Sequence, residues 1–493
     1  MKKNIFLCLI IITTVLLFTS CGDSGGNADV TAKDNISGDE AAADRIGEET
    51  ANPVFIEDDL GEFDFKGYEF TMWSRVMPYF HGTLNAEEET GDILNDVIYR
   101  RNRQIEDRFN FRFKEVTGND DGGAKRTILA GDNTYDIINT RVPNAYSWAQ
   151  EGIIHSVKAL PHVNLDKPYW HQDLNKELSV ANKIYFASGA FNVTAYDYTE
   201  ALLFNKNLAK DLGIENLYTL VHEGKWTFAK FAEYCLMARS DLNGDGNITL
   251  DDQHGFISTS KMVMPSFWIA GDVKSIYKDE NDIPYFAAME PKFVDVYDKI
   301  IEYVRNNNAW FKAPEPNVQN DPVLVNLFKS GRALFFDNQF HTIKDLRDME
   351  IDFGILPFPK LNEDQESYYT RLHWTELFCL PISKDEEALE RTSVILEALA
   401  CESAKYVVPA YYDISLKTKM SRDEESESMV DILFNTRVFD YGDTIWCGDI
   451  RDGRFTALFE NGSTDLISTM ERIQKTVTRN IDRLVATFED LSY

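Results

Sequence analysis

Basic residues are scarce in this chain. Its 50 Lys and Arg stand against 81 Asp and Glu, a formal net charge of −31. Neutralising a phosphate backbone takes clustered cations, so a nucleic-acid partner is excluded. The acidic surface by itself names no other partner. Cysteine is sparse as well. Of six Cys, Cys8 and Cys21 fall in the opening segment, and Cys235, Cys379, Cys401 and Cys447 follow with no metal-ligand spacing. Cys235 and Cys379 lie among apolar residues, as small core side chains do. An exported chain could join Cys401 to Cys447, although no spacing asks for it. The eight His include no H-E-x-x-H pair, and neither G-x-S-x-G nor G-x-x-x-x-G-K-[ST] occurs, so zincin, serine-hydrolase and P-loop chemistries find no motif. His155, His162 and His171 are seven and nine residues apart, which suits no helical metal pair. A carboxylate pair for glycoside hydrolysis is not excluded by so acidic a composition. Beyond Phe18 no apolar run approaches the ~20 residues of a membrane-spanning helix, and internal repeats are absent.

What is present begins with Lys2 and Lys3, an apolar run from Ile5 to Phe18, and then Thr19-Ser20-Cys21-Gly22. A positive start, a short apolar core and small residues make a secretory signal. Its end resembles the bacterial lipobox, in which the Cys is lipidated and becomes the new N-terminus. Phe18 stands where Leu is usual, and the alternative is a plain signal cut elsewhere or an uncleaved anchor. Residues 1–21 are thus expected to be signal and lipidation site (Cys21). Residues 22–53, rich in Gly, Ala, Ser, Asp and Glu, bury too little to order themselves and read as an acidic tether. The mature protein would hang from a lipid bilayer on its extracytoplasmic face.

From Val54 onward strand and helix patterns alternate. Gly67–Ser74 reads as a strand, Glu88–Phe109 as a helix with Ile93, Val97, Ile98, Ile105 and Phe109 on one face, and Phe111–Val116 as a strand. A short helix at Lys125–Leu129 and a buried strand at Tyr135–Ile138 follow. Such alternation implies an α/β layer. Further strands are expected at Lys183–Ala187, Ala201–Phe204, Ala333–Phe336, Ile351–Ile355 and Leu377–Leu380. Helices are expected at Val263–Ala270, Phe293–Val304, Glu386–Ala400 and Ser463–Phe488.

The stretch Lys225–Phe256 joins an amphipathic helix to a metal-type loop. Phe228, Phe231, Ala232, Cys235 and Leu236 share a helical face, with Thr227 at the N-cap position. Oxygen side chains then fall at loop positions 1, 3, 5, 9 and 12 (Asp241, Asn243, Asp245, Thr249, Asp252), with Asn247 between them, Gly246 at the sharp turn and an apolar Ile248. That is the layout of an EF-hand-type Ca2+ loop. Asp252 replaces the Glu usual at position 12, and a shorter carboxylate makes a weaker, structural site. A metal-free Asn/Asp/Gly turn is the alternative. No second copy of the loop exists, which argues against a dockerin-like module.

Several stretches in order resemble the extracellular solute-binding proteins of family 1, the carbohydrate receptors of ABC importers. They are Cys21, Leu202-Leu-Phe-Asn-Lys-Asn-Leu208, Glu223-Gly-Lys-Trp226-Thr-Phe228, the Asp241–Asp252 loop with His254-Gly-Phe256, Phe328-Lys-Ser-Gly-Arg-Ala-Leu334, Asp352–Lys360 and Leu380-Pro-Ile-Ser383. The resemblance implies an α/β, two-lobed, periplasmic-binding-protein-like (type II) fold with crossing strands at the hinge. The first lobe would hold residues 54–190 plus about 370–420, and the second 191–369 plus the C-terminal helices of 421–493. It also implies a carbohydrate ligand, ABC permease subunits as partners, a monomer, and transport without chemistry. Residues 413–453 exceed the shorter family members and find no place in this scheme.

A sugar offers C–H faces and hydroxyl edges, which calls for aromatic platforms beside paired polar groups at strand ends. The candidates are Trp73, Arg75, Asn139, Arg141, Tyr196, Asp197, Trp268, Asp337, Trp374 and Glu376. Trp226 reads as packing. A lipid-anchored glycoside-acting enzyme and a polysaccharide-binding adhesin are the rival readings.

Overall fold

The computed structural model describes residues 55–77, 84–312, 321–346, 349–417 and 424–491. The signal, Cys21 and the tether lie outside the described residues. From Phe55 the chain forms one compact unit built on two mixed sheets. In chain order the strands are β1 (Tyr68–Arg75), β2 (Phe111–Gly118), β3 (Ile137–Arg141), β4 (Ile154–His155), β5 (Phe186–Ala187), β6 (Glu200–Asn205), β7 (His254–Ser258), β8 (Ile276–Lys278), β9 (Pro284–Phe286), β10 (Trp310–Lys312), β11 (Ala333–Gln339), β12 (Phe353–Leu356), β13 (Thr370–Arg371), β14 (Glu376–Pro381) and β15 (Arg437–Val438).

The first sheet runs β2-β1-β3-β14-β4, with β5 also on β14. Here β1, β2 and β3 are parallel and β14 is antiparallel to them. The second runs β10-β7-β11-β6-β12, again three parallel strands followed by an antiparallel one. Each sheet therefore ends its parallel run on a strand that has arrived from the other lobe. Helices cover both faces, so the strands are buried along nearly their whole length, as the runs in Phe70–Arg75 and Ala333–Gln339 show.

Local chemistry sets the element ends. Asp92 caps the helix Ile93–Phe109 by accepting from the Asn95 amide, and Asn110 closes it in a left-handed conformation. Thr227 caps Phe228–Ala238 as its position implied. The buried face of that helix is Phe228, Phe231, Ala232, Tyr234 and Cys235. Leu236, assigned to that face from spacing, is 43% exposed instead, because Tyr234 takes the inward position.

Three segments cross between the lobes. One leaves β5 through a short helix, Thr194–Asp197, and enters β6. A second returns through β13 into β14. The third is β15, which pairs in parallel with β13 (Thr370 with Arg437, Arg371 with Val438). This third crossing belongs to the stretch that the sequence could not place. Its helix Glu424–Asn435 packs on β12 and on Leu217–His222 of the second lobe, and Asp440 is then anchored by Trp268 and Ser275. The C-terminal helix Leu466–Asp490 touches Val142–Gln150 in the first lobe as well as Pro291–Ile300 and β9 in the second. It straps both lobes rather than belonging to the second alone. Cys401 and Cys447 are free thiols, so the disulfide left open by the sequence is not formed.

Candidate functional site

In open α/β sheets the usable crevice lies beyond the carboxyl ends of the parallel strands. On the first lobe β1 ends in Arg75 and β3 in Arg141, while Glu376 opens β14 opposite Arg141 in register. Asp121, in the first turn of the helix Asp121–Leu129, joins this group. It is ion-paired with Arg75, accepts from the Thr140 hydroxyl at 2.6 Å, and lies 3.9 Å from Arg141 Nη2. Glu376 is 2% exposed. Burial, only partly offset by the Thr194 hydroxyl and by Arg75, pushes its carboxyl up to about 7. Burial and the neighbouring Glu376 push the Tyr198 phenol up as well.

On the second lobe Ser258 ends β7 and donates to Asp337 Oδ2 at 2.8 Å. Burial lifts Asp337 to about 6 against the pull of that hydrogen bond and of Arg371. Glu200 opens β6 opposite Gln339. Arg371, fully buried on the crossing strand β13, donates a fork to Asp443 (Nε to Oδ2 2.6 Å, Nη2 to Oδ1 2.8 Å) and a third bond to Glu200 Oε1 at 2.8 Å. Asp443 also accepts from Arg451 Nη1 at 2.8 Å. A network of charge thus ties all three crossings together.

Between the two clusters stand His373 and Trp374. His373 Nε2 receives Arg451 Nη1 at 3.0 Å and the Trp374 indole N–H. Both partners can only donate, so Nε2 is an acceptor and the proton of the neutral ring sits on Nδ1; Gln339, 2.9 Å away, must then turn its amide oxygen toward that N–H. Burial, then Arg371 and Arg451, holds His373 well below the usual imidazole range. The neutral ring pins the edge of Trp374, which stays only partly buried.

The structure brings together Arg75, Arg141 and Glu376, with Trp374 two residues before Glu376 in the chain and Asp337 on the second sheet. It does not bring in the others. Trp73 lies inside β1 and is core. Asn139 is buried, its Oδ1 receiving Asn192 Nδ2 at 3.0 Å. Asp197 is buried and accepts from the Tyr411 hydroxyl at 2.8 Å. Trp268 is fully buried near the end of the helix Ser260–Ala270, against Phe455 and bonded to Asp440 at 3.0 Å. Tyr196 stacks under Arg437 at 4.6 Å and faces a different cavity of about 780 Å3, walled by Tyr277, Tyr369, Phe434 and Lys274. That cavity is lined from both lobes, by Trp170 and Leu174 and by Ile269 and Val273, and by Leu372, Arg437 and Val438 of the crossings. Arg371, Glu200, Asp443 and Arg451 were missed. No sequence motif marks them, since their partners lie up to 171 residues away.

The acidic loop folds as its glycine pattern requires, with Gly246 at φ +84. Asp241 accepts from the Gly244 and Gly246 amides at 2.7 Å each. Asp252 is buried and accepts from the Leu242 and Thr249 amides at 2.9 and 2.7 Å, so the last carboxylate clips the loop shut. Among the described residues, the group of three acidic, Cys or His side chains with ligating atoms within 4.8 Å of one another is Glu57, Cys401 and Glu402. There the Lys405 ammonium already pairs with both Glu residues. The loop carboxylates are not gathered to that degree, although Asp241 and Asp245 remain oxygen donors suited to a hard cation.

No protein-family model and no curated protein matches the chain. Solved structures do. An ABC substrate-binding protein of Listeria monocytogenes in complex with cycloalternan is 12% identical, with 85% of this chain and 99% of that one covered and a TM-score of 0.53. A cyclo/maltodextrin-binding protein complexed with maltotetraose is 13% identical over the same shares, TM-score 0.55. UgpB from Mycobacterium tuberculosis in complex with glycerophosphocholine is 15% identical, again 85% and 99% covered, TM-score 0.53. The chain has the two-lobed periplasmic-binding-protein fold expected from its sequence.

Proposed function

We propose that this protein is the extracytoplasmic substrate-binding receptor of an ABC importer, that it binds a saccharide between its lobes, and that it performs no chemistry on it. The observation that carries the reading is Trp374. It is a partly exposed indole on a crossing segment, held edge-on by His373, with Arg141 and Glu376 at the tips of one sheet and Arg451 beside it. An aromatic face flanked by fixed polar groups is what a sugar ring requires. The fold, shared with proteins solved with saccharides bound, supports the same reading. Ligand that touches both lobes favours the closed angle, and closure about the crossings makes the surface that a permease subunit recognises.

Glu376 near 7 has the protonation of a general acid, which is the enzyme reading. A test separates the two. A thermal-shift screen with mono- and oligosaccharides, followed by small-angle scattering, should show a raised melting temperature and a smaller radius of gyration, with the ligand recovered intact. Released product would establish the enzyme instead. The cavity at Tyr196 is the competing place for ligand because of its volume. Tyr277→Ala weakening binding while Trp374→Ala does not would move the site there. Lipidation at Cys21, with the chain acting as a monomer at the membrane, and a structural Ca2+ on Asp241, Asn243, Asp245, Asn247, Thr249 and Asp252 complete the proposal. Among the described residues no helix is long and apolar enough to cross a membrane, and lipid modification in cells, read by mass shift and lost in Cys21→Ser, tests the anchor.

A further inference from the structure

The receptor reading leaves the ligand class open, and the tip of β3 narrows it. Arg141 is a guanidinium with five donors, yet its contact with a described residue is the Asp121 carboxylate at 3.9 Å, beyond hydrogen-bond reach. Asp121 is turned to other donors. One oxygen is taken by Arg75 and the other by Thr140. Arg141 Nε and Arg75 Nε are both shielded from solvent and lack an acceptor, while the Arg141 side chain as a whole is 41% exposed. This pair shares one carboxylate between two cations and leaves the Arg141 fork without a hydrogen-bonded carboxylate at the tip of β3, opposite Glu376 in register.

Resting on the receptor reading, we infer that the cleft takes a saccharide bearing a carboxylate, a sugar acid, with Arg141 as the planar two-point clamp for that carboxylate and Trp374 as the platform for its ring. Planar forks match carboxylates bidentately, which a Lys cannot do. The groups around Glu376 give the binding a pH signature. It faces Arg75 on β1, Arg141 on β3, and Asp121, Asp197 and Tyr198 from the helix and the crossing. A ligand carboxylate placed among them adds negative charge and favours the protonated form of Glu376, so binding takes up a proton and tightens as pH falls from 8 to 6. A neutral sugar would instead donate hydroxyls to ionised Glu376, and its affinity would change the other way.

The test is calorimetry on the full mature chain with trigalacturonate and, as the neutral trimer, maltotriose, at pH 6 and pH 8. Trigalacturonate is expected to bind and close the lobes, more tightly at pH 6, with the pH effect lost in Glu376→Gln. Arg141→Gln and Arg141→Lys should each weaken it about ten- to hundredfold, the worth of a charge-assisted two-point contact, while Tyr277→Ala, in the other cavity, should leave it unchanged. Circular dichroism and melting temperature show whether the variants fold. Maltotriose closing the lobes with an Arg141-independent affinity would overturn the inference and leave the receptor standing. Glucose 6-phosphate binding where trigalacturonate does not would overturn the carboxylate assignment. Lobes that close on none of the three, nor on any sugar of the wider screen, would overturn the receptor reading itself.

Discussion

Replacing Arg371 with Met should reveal how much of the inter-lobe joint is electrostatic. The side chain is fully buried, and so are its partners Glu200 and Asp443. Met fills similar volume, so the loss is mainly the charge and three hydrogen bonds. Asp443 keeps the Arg451 guanidinium at 2.8 Å. Glu200 keeps nothing of the kind: its Oε2 already lacks a partner, and burial holds its carboxyl well above the usual range even with Arg371 in place. Breaking a buried ion pair on one side costs about 3–5 kcal/mol. At ~2.1 cal/mol/K of unfolding entropy per residue over a folded part of ~440 residues, that is a fall in Tm of about 3–5 °C by calorimetry at pH 8. The sign with pH follows from Glu200. A carboxyl raised in the folded state stabilises least where it must ionise, so the deficit of the variant opens as pH rises and narrows as pH falls. Adding Glu200→Gln to Arg371→Met should recover at least half of the loss. A deficit under about 1 kcal/mol at pH 8, or one independent of pH and of Glu200→Gln, would refute the claim that charge pairing holds this joint.

Glu376→Gln should stabilise the unliganded protein at alkaline pH. With the folded carboxyl near 7 against an ordinary value near 4.5, the wild type loses about 3 kcal/mol as pH rises past 7; the variant does not titrate, so the two melting curves should coincide near pH 4.5 and separate by pH 8. Trp374→Ala should weaken saccharide binding by about 1–3 kcal/mol, the scale of a buried aromatic contact, and unaltered calorimetric affinity would return Trp374 to a packing role. Chelation with EDTA should lower Tm while leaving saccharide affinity intact, because the Asp241–Asp252 loop lies outside the cleft; a melting temperature equal with and without Ca2+ would remove the metal from the account.

Periodicity and strand ends made the lobes legible from the sequence. Parallel strands buried on both faces announce themselves as apolar runs, and Arg75, Arg141 and Glu376 fall together at strand ends because a polar residue ending such a run has few places to point. The candidates that lie in the core share one feature. Trp73, Asn139, Asp197 and Trp268 are the residues a sugar site would use, but aromatic identity does not report orientation. Inside β1 a Trp two positions short of the strand end is buried in the core, and a Trp late in an eleven-residue helix lies two turns below the tips. Only tertiary partners distinguish these cases: the Asp440 carboxylate that claims the Trp268 indole comes from 172 residues away.

That same partner explains why residues 413–453 could not be read. Beyond the helix Glu424–Asn435, the short pieces of this stretch gain their structure from what they cross. Asp440 sits inside the second lobe, pushed up to about 6 by burial and held by the Ser275 amide and hydroxyl. Three residues on, Asp443 takes the fork of Arg371, and eight further on Arg451 reaches His373. The stretch thus adds a third crossing whose Arg451, itself held by Asp443, reaches the same imidazole that fixes Trp374. On the proposed receptor reading, a ligand seated on that indole would press on His373 and, through Arg451, on Asp443 and Arg371, so this crossing would be coupled to the ligand as well as to both lobes.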